Sequence, residues 1–263
     1  MVKVSILQAE KPNVKEAIER IGFSFSNQDT IVIKTNLCPS YYGMDGSPMH
    51  LDILTQLLDL AEGLFDEIIV VDDQCPDKGF NDFFKKSEAF NICNSYDAAF
   101  INLLEDTHIP VKGNFNILKN LKLPKTLLKA DMLVNISVMK TSRLTDVSLS
   151  LMNLLDFVPK GNSIYKSEIE KAICDILQFR KPDLNIVDGI TAIEDNNPKK
   201  MNLILASEDP VALDTISCKV MGINPFVVEH IVSAGFMDLG ESLINKIEVV
   251  GERIEKVRER FVY

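Results

Sequence analysis

Four short runs of β-branched and aliphatic residues constrain this chain most. They are residues 30–34 (TIVIK), 67–72 (EIIVVD), 131–139 (DMLVNISVM) and 184–187 (LNIV). Each is apolar at odd and even positions alike, so each would be a strand covered on both faces, which is how strands of a parallel sheet read. Between the first two lies a helical pattern over 47–62, with Ser47 as N-cap, Pro48 at the first helical position and Gly63 as the stop. Strand, loop, helix and strand in that order is the signature of parallel βαβ units. Further strands are expected over 2–7, 202–206 and 246–250. Helices are expected over 12–21, 148–155 and 167–179, from Asp209 to near Gly222, and from Pro225 to Gly235. A hairpin around Lys112-Gly113-Asn114 and one or two helical turns over 124–130 complete the reading. The expected fold is therefore α/β: a mostly parallel sheet with helices on both faces. It forms one domain over 1–263, with a small irregular lobe from the segment 74–125. No linker, repeat or low-complexity tract divides the chain.

Charge narrows the partners. A net charge of -10 and a pI near 4.9 repel the phosphates of nucleic acids and the surface of anionic lipid, so neither nucleic acid nor membrane is an expected partner. No apolar run approaches the roughly 20 residues of a membrane helix. The five cysteines, Cys38, Cys75, Cys93, Cys174 and Cys218, are odd in number and widely spaced, with no CxxC. That pattern points to a reducing compartment and not to a disulfide framework. The first residues run straight into a strand pattern without a signal-peptide layout, so the expected location is the cytoplasm.

Ligands of open parallel sheets sit outside the carboxyl ends of the strands, which makes the polar residues after each apolar run the informative ones. Lys34, Thr35 and Asn36 follow the run at 30; Asp72 and Asp73 close the run at 67. Lys140, Thr141 and Ser142 follow the run at 131, and Asp188 follows the run at 184. A buried ammonium needs an anion. For Lys34 and Lys140 that anion is an internal carboxylate such as Asp72 or Asp188, or a ligand carboxylate or phosphate, and both readings stand. Asp188 before Gly189 reads either as a turn residue or as a general base or metal ligand. Asn153 interrupts an apolar helical pattern and needs partners if buried. His50, His108 and His230 have no zinc spacing, and His50 reads as a surface or cap residue. No phosphate loop, GxSxG elbow or metal-binding spacing occurs, so no metal ligands are assigned and the cofactor is left open.

Four stretches together resemble a known family: IVIKTNL (31–37), VNISVMKTSRLTDVSLSLMNLLDFVP (134–159), LNIVDGITAIEDNNP (184–198) and SEDPVALDTISCKVMGINP (207–225). They are similar, in the same order, to the motifs of the domain of unknown function 362 family. Many of its members carry an added ferredoxin-like module and are described as iron–sulfur proteins. This chain has no such cysteine cluster. The family's IKPNL pattern falls on Ile33, Lys34, Thr35, Asn36 and Leu37, with Thr35 in place of Pro. Its LKTH pattern falls on Met139, Lys140, Thr141 and Ser142, with Ser142 in place of His. Its LKN pattern falls on Leu151, Met152 and Asn153, with Met152 in place of Lys. A later His has no counterpart between Lys160 and Glu170, and Asp195 stands where the family has a Gly.

Three functions are compatible with these residues. The first is an enzyme acting on a small anionic molecule. In it Lys34 and Lys140 clamp the anion, Asn36, Thr141 and Asn153 bind it, and Lys140 and Asp188 carry the chemistry. The second is a non-catalytic ligand-binding or partner subunit that has lost the family's histidines, in a homo-oligomer or a larger assembly. The third is a redox component working with a separate iron–sulfur protein.

Overall fold

The computed structural model describes residues 1–37, 49–72, 87–113, 115–159 and 168–262. The strands are β1 (Val2–Gln8), β2 (Gln28–Lys34), β3 (Phe65–Asp72), β4 (Ala99–Asn102), β5 (His108–Pro110), β6 (Lys122–Pro124), β7 (Met132–Ser142), β8 (Asp146–Ser148), β9 (Leu184–Glu194), β10 (Asn197–Ser207) and β11 (Ile247–Gly251). The main sheet has the order β11-β1-β10-β9-β7-β2-β3-β4, with β8 paired to the end of β7. Along that path β10 runs against its neighbours β1 and β9, and the other pairs are parallel. The short antiparallel pair β5–β6 lies apart from it.

Alternation along the strands builds a core on each face. Ile31, Ile33, Val134, Ile136 and Ile186 pack with the helices Val14–Ile21, Leu51–Ala61 and Glu88–Ser95. Val32, Val71, Leu133, Val187 and Leu205 pack on the opposite face with the helices Ile169–Phe179, Pro210–Val220 and Glu229–Phe236. The fold is thus α/β, with a mostly parallel sheet between two helical layers. Local signals place the helix ends. Asn13 accepts from Glu16 N, Asp209 accepts from Val211 N and Ala212 N, and Gly63 at φ 73° follows the helix Leu51–Ala61.

Several elements differ from the sequence reading. β9 does not stop at Val187. It continues to Glu194 and folds back on β10 through Asp195 and Asn196, both at positive φ, as a two-residue hairpin turn requires. Asp188 therefore lies within a strand. The helix expected from Pro225 is a 3-10 turn, Pro225–Val227, followed by the separate helix Glu229–Phe236. Ser47 and Pro48 lie outside the described residues, and the helix they were expected to open begins at Leu51 with His50 as its cap. Of the segment 74–125, residues 74–86 and Asn114 of the expected hairpin are outside the described set; the helix Glu88–Ser95 packs on the main sheet, β4 extends it, and β5–β6 form the separate ribbon. No helix among the described residues is long and apolar enough to cross a membrane.

The strand order locates a topological switch point. From β2 the chain passes through the helix Leu51–Ala61 to β3 on one side. From β7 it passes to β9 on the other. The order reverses between β2 and β7, and at such a switch point the connections diverge and leave room outside the strand ends.

Candidate active site at the strand switch point

Lys34 ends β2, and its side chain is 0% exposed. Its Nζ donates to the Thr35 carbonyl at 2.5 Å, to Asp72 Oδ1 at 3.2 Å and to Asn153 Oδ1 at 3.4 Å, and it pairs with Asp156 Oδ2 at 2.9 Å. The carboxylates differ in setting. Asp72 ends β3, is buried, and takes further donors from Thr35 Oγ1 at 2.8 Å and Leu37 N at 2.7 Å. Asp156 sits in the 3-10 turn Leu154–Phe157 with its side chain 29% exposed, on the solvent side of Lys34.

Lys140 in β7 is 8% exposed and donates from Nζ to Asn36 Oδ1 at 3.0 Å. Asn36 Nδ2 in turn donates to Asn153 Oδ1 at 2.9 Å, the oxygen that also accepts from Lys34. The two lysines, far apart in sequence and on neighbouring strands, therefore meet through one amide pair. Desolvation lowers the Lys140 ammonium to a pKa of about 8. Asp156 pulls it upward, and the positive charge of Lys34 adds to the lowering.

Behind this pair a buried polar layer runs across the sheet. Asn153 Nδ2 donates to Asn135 Oδ1 at 2.8 Å and to the Ile136 carbonyl at 2.9 Å. Asn135 Nδ2 donates to Ser150 Oγ at 2.8 Å and Asn185 Oδ1 at 3.2 Å. Asp214 accepts from Ser150 N and Leu151 N, each at 2.9 Å. Burial pushes its carboxyl up to about 8, against the pull of those two donors. The layer fixes the short helix Ser150–Asn153, and with it the amide of Asn153.

Of the residues expected to form the site, Lys34, Asn36, Lys140 and Asn153 come together. Thr141 and Asp188 make other contacts. Thr141 Oγ1 accepts from Asp195 N at 2.9 Å, which ties β7 to the β9–β10 turn. Asp188, fully buried, accepts at Oδ2 from His50 N at 2.7 Å and from His50 Nδ1 at 3.1 Å, and at Oδ1 from Ile190 N at 3.0 Å. The bond to Asp188 is the main cause raising the pKa of His50. Asp156, Asn135, Asn185, Ser150, Asp214 and the His50 pairing were not anticipated. Asn135 and Asn185 did carry a signal, because each is a lone amide inside an apolar strand run.

The described cysteines do not join the site. Cys93, Cys174 and Cys218 are buried, and desolvation pushes the thiols of Cys93 and Cys174 up to about 12 and that of Cys218 well above its ordinary value. Neutral thiols of this kind are poor metal ligands. Cys38 and Cys75 lie outside the described residues.

Comparison with known proteins finds similarity at three levels, a curated relative, a solved structure and a family model. The thylakoid-associated protein sll1697 of Synechocystis sp. is 27% identical over 122 residues, covering 41% of this chain and 38% of that protein. The matched stretch thus spans well under half the length of that relative. The lactate racemase apoprotein from Thermoanaerobacterium thermosaccharolyticum superposes with a TM-score of 0.49 at 14% identity, over 85% of this chain and 58% of that one. The family model described as "Domain of unknown function (DUF362)" matches residues 31–219, from β2 to the helix Pro210–Val220 and so across the whole of the lysine–asparagine cluster. With that span, well over half the chain, the protein belongs to the DUF362 family.

Proposed function

We propose that this protein binds a small carboxylate- or phosphate-bearing molecule in the crevice outside the ends of β2 and β7. Lys140 and Lys34 supply the positive charge, and Asn36 and Asn153 hold them in register. One observation carries the reading: two nearly buried lysines converge on one amide pair at the strand switch point, where Asp156 brings a partly exposed carboxylate onto Lys34. Asp156 stands as an internal model of the ligand, a carboxylate reaching the ammonium from the solvent side. Preorganised ammonium and amide donors in a crevice of low dielectric also favour negative charge that develops during a reaction, so the same geometry serves an enzyme. The buried, neutral thiols fit a reducing compartment such as the cytoplasm.

The test is calorimetric titration with acetate and with inorganic phosphate. Anion binding that disappears in Lys140→Ala and strengthens in Asp156→Asn, where the internal competitor is gone, supports the site. An Asp156→Asn protein that folds normally and binds neither anion refutes it.

A further inference from the structure

Outside the lysine cluster, His50 and Asp188 pair two titratable groups in a chemically directed arrangement. His50 caps the helix Leu51–Ala61, and its side chain is 33% exposed against 0% for Asp188. Asp188 Oδ2 takes both the backbone N–H and the ring Nδ1 of His50, while Oδ1 takes Ile190 N. A carboxylate only accepts, so Nδ1 carries the proton and Nε2 of the neutral ring keeps its lone pair. Among the described residues Nε2 has no hydrogen-bond partner. Asp188 is shut away from solvent with every oxygen engaged, so it has no means of taking a proton from a ligand itself. A histidine whose Nδ1 is locked to a buried carboxylate and whose Nε2 is open is the arrangement that lets a ring accept and return protons.

Its position adds to this. Asp188 is the register partner of Val138 on the adjacent strand; beyond that pair the register shifts, so that Lys140, two residues on from Val138, is the partner of Ile193. Neighbouring strands are about 5 Å apart and two residues along a strand cover about 7 Å. The backbones carrying the dyad and the ammonium group therefore lie at one end of one pair of strands. Asp188 shares a face with Ile186, in the core built with the helix that His50 caps.

We propose that His50, positioned by Asp188, is the proton-transfer group of the anion site, and that the ligand is a small carboxylate or phosphate with a proton exchanged next to its charged group. The proposal rests on the anion site described above. In the step it describes, a proton passes from the substrate to His50 Nε2, and the electron pair it leaves stays on the substrate, opposite the Lys140 ammonium. Return of the proton restores the neutral ring, and no oxidant or second reactant is consumed. Asp188 is then a positioning residue, and the base assigned to it from sequence belongs to His50.

The experiment follows the His50 ring by NMR in the full chain, assigned by loss of its signal in His50→Gln, across pH and on titration with inorganic phosphate. The expected titration midpoint of His50 lies above the ordinary histidine value. In Asp188→Asn it drops, because the neighbouring negative charge is gone. Phosphate is expected to move the His50 signal in the native protein and to leave it unmoved in Lys140→Ala. If phosphate binds in a Lys140-dependent way but the His50 signal stays still, the dyad does not face the site; the proposal falls and the anion site survives. If neither phosphate nor acetate binds, both fall together. An unchanged midpoint in Asp188→Asn removes the positioning role.

Discussion

Replacing His230 should remove an acid-sensitive weakness from the core. The ring lies in the helix Glu229–Phe236, is 1% exposed, and neither nitrogen has a hydrogen-bond partner among the described residues. Burial alone pushes its pKa from 6.5 to about 4. The folded protein therefore holds the ring neutral, while the unfolded chain takes up a proton below pH 6.5. Stability is full above that value and is lost as the pH falls toward 4. Each pH unit between the two is worth about 1.4 kcal/mol, so this one ring costs about 3 kcal/mol by the lower end. His50 moves in the opposite direction, but it is present in both proteins and cancels from their difference. His230→Leu, close to it in volume, should gain about 1–3 kcal/mol at pH 7.5 by removing two unsatisfied nitrogens. Its advantage should then widen by about 3 kcal/mol between pH 7 and pH 4. Urea unfolding followed by circular dichroism at four or five pH values reads both quantities. Curves for the two proteins that stay parallel down to pH 4 would refute the reasoning, because the ring would then be titrating in the fold.

Three further outcomes are expected. Lys34→Met strands the Asp72 carboxylate and should cost about 3–5 kcal/mol in urea unfolding, most of it recovered in the double variant with Asp72→Asn. Asp175 is buried and accepts from Asn116 N, Asn116 Nδ2, Ile117 N and Leu118 N, so Asp175→Ala should cost about 3 kcal/mol and raise amide exchange in residues 116–118. Lys140 carries its charge below about pH 8, so phosphate affinity measured calorimetrically should hold through neutral pH and decline above pH 8; affinity unchanged to pH 10 would remove Lys140 from the site.

The sheet was legible because buried parallel strands have a composition of their own. The runs at 30 and 67 fall within β2 and β3, and the run at 131 falls within β7 from Met132 on. Lys34 and Lys140 stood out for the same reason, as long cations where an apolar run closes. Asn153 stood out as an amide in an apolar helix. What could not be read was pairing across the chain. His50 and Asp188 are 138 residues apart and show no local spacing. Asp156 has the look of a solvated loop residue until the 3-10 turn places it over Lys34. The extent of β9 was missed because Asp188-Gly189 reads as a turn that ends the strand, although Ile190, Ala192 and Ile193 beyond it are buried.

The amide layer has a consequence for how the chain assembles. Asn135 and Asn185 are register partners in β7 and β9, and each is flanked along its strand by aliphatic residues facing the other side of the sheet. A slip of one residue between these strands would drive the amide of the shifted strand into the opposite, hydrocarbon layer and part it from Ser150 and from the other asparagine. Apolar strands alone would tolerate such a slip, since one valine or isoleucine replaces another at little loss. The asparagines make misalignment expensive at a single rung, so the polar seam acts as a proofreading mark that lets only one alignment of the central strands close.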